Sequence, residues 1–455
     1  MSIDFTALED RLQRIVGPEF VVAPPEAATP YVVDGVTPPL RVRPGTQDEV
    51  AEVVTACAEA GAAMVPWGGG TAMGMGNRPE RVDVLIHLDR LDRVVEFDAD
   101  NLCVTVEAGM PLGRLQELVA EHQEQLPFDP PDSYRVTLGG LVAANQSGPC
   151  RLQHGTARDW VLGLRVVLPD GERIRCGGRV IKNVSGYDMN KLFIRSFGTL
   201  GIITEVTVKL LPLPAARASV IGVFPDLSGA AAAVRQVLAS FLLPEALDLL
   251  DPAALLLLAP VLDLQPPGAF AVAAGLAGSQ ATVDRQVRDL EALFRNCGGS
   301  PSSLRDVSSV EAWMAITRVL GQVPREAGLV VCKLAVPIGL TADQMAKVHS
   351  QAADHGLLAT VVAHAGSGIL RMALRPVADA TPEKGLGDTV QAIEALRKDA
   401  EAVTGSLVLE EAPPPVKERV DAWGKPGPSL ATMRRIKEMF DPRALCSPGR
   451  FVGGI

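Results

Sequence analysis

Residues 66–77 read PWGGGTAMGMGN, and five of these twelve positions are glycine: Gly68, Gly69, Gly70, Gly74 and Gly76. Glycine reaches positive φ without a Cβ clash, so such a run lets successive backbone N–H groups converge on an anion. A pyrophosphate is the natural guest. The spacing is neither GxGxxG nor a Walker A loop, since no Gly-Lys-Ser/Thr follows, which argues against Rossmann and P-loop chemistry. A loop with no ligand can share this composition, and the run alone leaves both readings open.

Two further signals lie downstream. Residues 137–148 read TLGGLVAANQSG, where Gly139, Gly140, Ala143 and Ala144 allow a flat ring, or a packed helix and strand, to come close to the backbone. Residues 196–204 read SFGTLGIIT, a glycine turn into an apolar strand. Around them the pattern alternates. A helix is expected over 46–60, with Val50, Val53, Val54 and Cys57 on one face. Strands are expected at 82–87, 94–97 and 103–108, a helix at 111–121, an irregular run at 125–150, and strands at 161–168, 172–176 and 201–210. The run LLPLP, ending at Pro214, reads as a domain boundary.

Beyond Pro214 the pattern turns to β-α-β units. Strands at 219–224 and 269–276 alternate with a helix begun by Ser228 and another at 281–294. A second set follows: a strand at 329–337, a helix with Thr341 and Gln344 in capping-box spacing, strands within 358–374 and a helix at 389–403. Two such units match a ferredoxin-like sheet or a pair of them. A last helix is expected at 429–440, before the tail CSPGRFVGGI.

Composition narrows the function classes. The net charge of −10 disfavours general binding to nucleic acid or anionic membrane. The seven cysteines, Cys57, Cys103, Cys150, Cys176, Cys297, Cys332 and Cys446, form no CxxC pair, so neither a disulfide framework nor an iron–sulfur or zinc site is indicated. Residues 242–278 are the most apolar stretch, but Pro244, Glu245, Asp248, Asp251, Pro252, Pro260, Asp263 and Pro266 interrupt it, and no membrane insertion is expected. The first residues lack an apolar core of signal-peptide type. A cytoplasmic location is the resulting expectation, although a membrane partner could still hold the chain at a surface.

The order and separation of these motifs make the sequence recognisable. VPWGGGT, PPD at 130–132, LGGLVAANQSG, RDWVLGLRVVLPDG, the run from GGRVIKNVSGYD through SFGTLGIITEVTVKLLP, and FDPRALCSPGR together resemble flavoproteins of the vanillyl-alcohol-oxidase type with a PCMH-type FAD-binding domain. KNVSGYD at 182–188 is similar to the accessory FAD-binding subunit of bacterial glycolate oxidase. The resemblance implies an α+β fold: a two-part FAD-binding domain over 1–215, a ferredoxin-like cap domain over 216–405, and a C-terminal segment, 406–455, returning to the FAD domain. It implies that Gly68, Gly69, Gly70, Thr71 and Ala72 wrap the FAD pyrophosphate, with Gly76 and Asn77 closing the loop. Pro131, Asp132, Thr137, Gly139, Gly140 and Gly148 would line the dinucleotide, and Gly201 and Ile203 would meet it through their backbone. Covalent relatives carry His just after the glycine run. Thr71 stands there in this chain, so noncovalent FAD is implied.

The catalytic pattern departs from the family. Active 2-hydroxy-acid dehydrogenases of this type carry HxGxGNxH, and the matching stretch is HAGSGILR at 364–371. His364 is retained, Ile369 replaces Asn and Arg371 replaces the second His. The later GEHG reads LEEA, with Glu410 kept and Glu411 in place of His. Two neutral imidazoles can bind a divalent metal or take up a hydroxyl proton; arginine does neither. No catalytic residue and no metal is therefore assigned. The resemblance implies an FAD-binding subunit of a multi-subunit, glycolate-type oxidoreductase, beside a homologous catalytic flavin subunit and an iron–sulfur subunit. A stand-alone dehydrogenase is the alternative, with Arg371 gripping the substrate carboxylate and Glu411 as base.

Overall fold

The computed structural model describes residues 3–23, 31–179, 186–262, 268–325, 328–378 and 381–455. Of the run 182–188, residues 182–185 lie outside these. The chain divides into two compact units, one comprising Met1–Ser147, Thr156–Leu213 and Lys425–Ile455, the other Gly148–Gly155 and Pro214–Gly424.

The first unit holds two main sheets. In one, Leu40–Val42, Val84–His87 and Met64–Trp67 are parallel neighbours, with Val21–Val22 at the edge. The helices Phe5–Val16 and Gln47–Ala60 bury Leu12, Val50, Val53 and Val54 against it. Thr46 caps the second helix by accepting from Glu49 N at 3.1 Å. The other sheet is antiparallel, in the order Val94–Asp98, Cys103–Glu107, Ile202–Lys209, Val161–Val167, Arg173–Gly177. Strand alternation sends Val104, Val106, Leu164, Val206 and Val208 to one buried face.

The supposedly irregular run at 125–150 contains a helix, Leu138–Ala144. Thr137 caps it by accepting from Gly140 N at 3.3 Å, and Asn145 ends it at φ 50°. Two glycines in so short a segment masked the helical pattern, because propensity disfavours them and caps and packing override it.

The second unit is built on one antiparallel sheet of eight strands, in the order Ser300–Arg305, Ala216–Phe224, Phe270–Gly278, Ala246–Leu250, Leu357–His364, Ile369–Pro376, Val330–Ala335, Ser406–Glu411. Each half is a βαββαβ ferredoxin-like unit. The halves join edge to edge where Asp248, Leu249 and Leu250 pair with His364, Ala363 and Val362. The helices Leu227–Leu238, Gln280–Asn296, Thr341–Asp354 and Pro382–Glu401 cover one face, over Leu249, Met372 and Leu334. Pro252–Leu262 and Asp306–Arg318 pack on part of the other, against Leu250, Val362 and Ala373.

Three local expectations change. Asp226, not Ser228, caps its helix by accepting from Gly229 N at 2.9 Å. Thr341 is already the first helical residue and donates back to Ile338 O at 2.7 Å, so the capping-box spacing with Gln344 is not used. The second unit extends past residue 405, because Ser406–Glu411 is its last strand and Leu409 N donates to Ala422 O at 2.8 Å. The return to the first unit begins at Lys425.

Candidate functional site

The strand Met64–Trp67 is paired along its length with its parallel neighbour Val84–His87 and ends directly in Gly68. The glycine loop then runs hard against the segment around Arg135. A Cβ on Gly69 would sit 1.5 Å from Arg135 O, a distance no side chain tolerates. Gly70 has φ 71°, and a Cβ there would lie 2.4 Å from the Trp67 ring. These positions demand glycine for packing and conformation.

The helix Leu138–Ala144 closes against the same region. Gly139 N donates to Ala108 O at 2.8 Å, and a Cβ on Gly139 would approach the Ala108 Cβ to 2.5 Å. The third motif is tied to this helix, with Phe197 N donating to Ala143 O at 3.0 Å. The three motifs thus converge on one cleft, open at its mouth. Its wall is formed by Gly68, Gly69, Gly70, Thr71, Ala72, Thr137, Gly139, Gly140, Gly201 and Ile203, all expected from sequence, and by Pro66, Met73, Leu88, Ala108, Ala143, Ala144, Phe197, Gly198 and Arg450.

Five expected residues fall outside this wall. Gly76 and Asn77 lie at the far end of the loop, where Asn77 N donates to Arg450 O at 3.0 Å. Pro131 and Asp132 lie in the turn that leads to Arg135: Asp132, at φ 54°, accepts through its carbonyl from Arg135 N and Val136 N at 2.8 and 2.9 Å. Gly148 belongs to the short segment Gly148–Gly155 of the second unit.

Arg450 was absent from the sequence reading. It is 3 % exposed, and burial, opposed by Asp34, pushes its guanidinium pKa down to about 10. The residue stays protonated at neutral pH and places a cation on the cleft wall. Its only sequence signal was a charge directly after the Pro-Gly of the tail. The cleft suits FAD in its bare backbone surfaces and in the Arg450 cation on its wall. FAD would supply a two-electron acceptor there when bound.

The second unit carries a polar strip across five adjacent strands. Asp248 is fully buried, and its Oδ1 lies 2.9 Å from His364 Nδ1. Arg371 and Lys333 are register neighbours. Arg371 donates from Nε to Glu410 Oε2 at 2.9 Å, and its Nη2 lies 2.8 Å from the same oxygen. Glu410 is the extra residue of a β-bulge between the pairs Cys332–Leu409 and Val331–Glu411, a device that re-aims a side chain. Burial pushes the Glu410 pKa up; the charges of Arg371, Lys333 and His364 and the Arg371 hydrogen bond outweigh it and leave the pKa lowered. Glu411 is ion-paired with Arg325. Among the described residues no three His, Cys, Asp or Glu side chains converge as a metal site.

The fold and the cleft define a flavoprotein with an FAD-binding part and a separate β-sheet cap. The chain matches the FAD binding domain model over residues 38–177 and the FAD linked oxidases, C-terminal domain model over 213–451. It is 31% identical over 442 residues to an uncharacterized FAD-linked oxidoreductase of Mycobacterium tuberculosis, covering 91% of either chain. Glycolate oxidase subunit GlcD of Bacillus subtilis is 27% identical, covering 90% of this chain and 88% of that one. The D-2-hydroxyglutarate dehydrogenase of Xanthomonas citri is 28% identical over 90% and 88%. The fold is that of p-cresol methylhydroxylase, with a TM-score of 0.77 at 17% identity over 98% of this chain and 96% of that one. The chain belongs to the FAD-linked oxidase family and is an FAD-dependent oxidoreductase.

Proposed function

We propose that the chain is the FAD-binding subunit of a multi-subunit oxidoreductase for a small 2-hydroxy acid of the glycolate type. Its FAD, held noncovalently with Thr71 beside the glycine run, relays electrons or supports the assembly. A homologous catalytic flavin subunit and an iron–sulfur subunit are its partners, in the cytoplasm or at the inner membrane through them. No helix among the described residues is long and apolar enough to cross a membrane.

The observation that carries this reading is the Arg371–Glu410 pair. Oxidising a 2-hydroxy acid requires an acceptor for the hydroxyl proton, and general-base catalysis is typically worth about 10²–10⁴-fold. Where the family has a second imidazole, Arg371 sits on the retained Glu410. The guanidinium repels a divalent cation from that carboxylate and is itself engaged. Glu411, paired with Arg325, is a solvent-screened carboxylate rather than a buried base. Similarity to the glycolate oxidase subunit and the D-2-hydroxyglutarate dehydrogenase supports the substrate class.

One observation favours the stand-alone reading. Asp248 holds His364 through Nδ1, which orients the ring and leaves Nε2 as the second nitrogen. A neutral His364 in that tautomer has the chemistry of a proton acceptor.

The proposal is tested by purifying the tagged chain from its native host without detergent stripping. A homologous flavoprotein and an iron–sulfur protein should elute with it in fixed ratio. Recovery of the chain alone, with turnover of glycolate or D-lactate that His364→Gln abolishes, would replace this reading with the stand-alone one.

A further inference from the structure

The C-terminal tail closes over the glycine loop from both ends. Beside the strand Met64–Trp67, Met64 N donates to Leu445 O at 2.7 Å and Ser447 N donates to Met64 O at 2.9 Å. At the other end, Asn77 N donates to Arg450 O and Glu80 N to Pro448 O, each at 3.0 Å. The root of the tail is fixed as well. Lys437 Nζ donates to Thr199 O at 2.7 Å and Cys446 O at 3.0 Å, and pairs with Asp441 at 2.6 Å.

Between these staples the Arg450 side chain turns into the loop. Its Nη2 donates to the carbonyls of Ala72, Met73 and Met75 at 3.2, 3.1 and 3.0 Å. A glycine-rich loop has little intrinsic reason to hold one shape, since each glycine loses more conformational freedom on ordering than any other residue. One buried guanidinium bonded to three of its carbonyls supplies that reason. It also takes up three carbonyl dipoles whose negative ends disfavour an anion in the same loop.

We propose that Arg450 is a positioning residue for the cofactor: it fixes the glycine loop in its binding shape before FAD arrives. The tail is thereby part of the cofactor site, although it lies some 375 residues from the loop in sequence. This inference rests on the glycine cleft being the FAD site.

The test is titration of the full-length apoprotein with FAD and, separately, with ADP, which carries the pyrophosphate without the flavin. Arg450→Met should weaken both by about tenfold or more, the scale of losing hydrogen bonds to a charged group. It should also speed amide exchange in residues 66–80 of the apoprotein. Arg450→Lys keeps fewer of the bonds to the loop, and should recover part of the affinity together with part of the exchange protection. If Arg450→Met does not fold by circular dichroism, Arg450→Lys carries the test, with affinity weakened about threefold. FAD affinity within twofold of the wild type together with unchanged exchange, in whichever variant folds, would overturn the proposal. Gly70→Val separates the two readings. If it loses FAD while Arg450→Met retains it, the cleft stands and the latch fails. If Gly70→Val retains FAD, the cleft itself is wrong.

Discussion

The glycine cleft of the first unit and the polar strip of the second are built on opposite principles. The cleft is made of backbone: Gly69 and Gly70 are there because a side chain would collide with Arg135 O or the Trp67 ring. The strip is made of side chains bonded to one another, Asp248 with His364 and Arg371 with Glu410. A backbone site tolerates few changes, because each substitution disturbs the loop itself. A side-chain site on a rigid sheet can exchange its chemistry and keep its scaffold, and Arg371 in place of the family's imidazole is such an exchange. On the proposed reading, the difference teaches that family membership transfers the cofactor more securely than it transfers the catalysis.

The comparison breaks first, and most severely, at Gly70. Gly70→Val forces a β-branched residue to φ near 71°, at a cost of about 1–3 kcal/mol for the backbone alone. The contact with Trp67 adds to it. We expect FAD affinity to fall by about a hundredfold or more, read as loss of yellow colour and of flavin release on acid precipitation. Retained flavin would mean that the cleft is not the site.

Next in size is Arg371→Met, which leaves Glu410 without its bonded cation. Both side chains are largely buried, at 23 % and 13 % exposure, and we expect a loss of about 2–3 kcal/mol, seen in thermal or denaturant unfolding. FAD binding should be untouched. Adding Glu410→Gln should return part of the loss, since the double variant removes the carboxylate together with its bonded guanidinium. A smaller effect, about 1–2 kcal/mol, is expected from Asp248→Asn, which weakens the hold on His364. If this variant matches the wild type in stability, the Asp248–His364 hydrogen bond contributes nothing to holding the second unit together.

The strip should also respond to acid in a way the cleft does not. Glu410 has a lowered pKa in the folded protein. Its contribution is therefore fully present above the unfolded glutamate value, about 4.3, and is lost as pH falls through the folded value. Unfolding free energy of the wild type should drop in that acidic window, and Glu410→Gln should flatten the drop. Equal slopes for the two proteins would remove Glu410 from the ionic network.

How much of this could be read beforehand follows the same division. The three glycine motifs were legible because residue type there is dictated by local backbone geometry, and their wall forms largely from the expected residues. The helix Leu138–Ala144 was hidden by its own glycines. Arg450 was hidden because its role exists only after the tail returns to the loop. The Asp248–His364 pair spans 116 residues and depends on two ferredoxin-like halves meeting at one register, which no local pattern encodes. Glu410 was noticed as a retained family residue. Its aim toward Arg371 depends on a bulge that strand periodicity does not announce.

Anaerobic addition of glycolate or D-lactate to the purified, FAD-loaded chain tests most directly whether the strip has given up catalysis while the cleft has kept its cofactor. We expect the flavin absorbance to persist over many minutes with the chain alone and to bleach only after a catalytic partner subunit is added. Rapid bleaching by the isolated wild-type chain would contradict this and make it the catalyst.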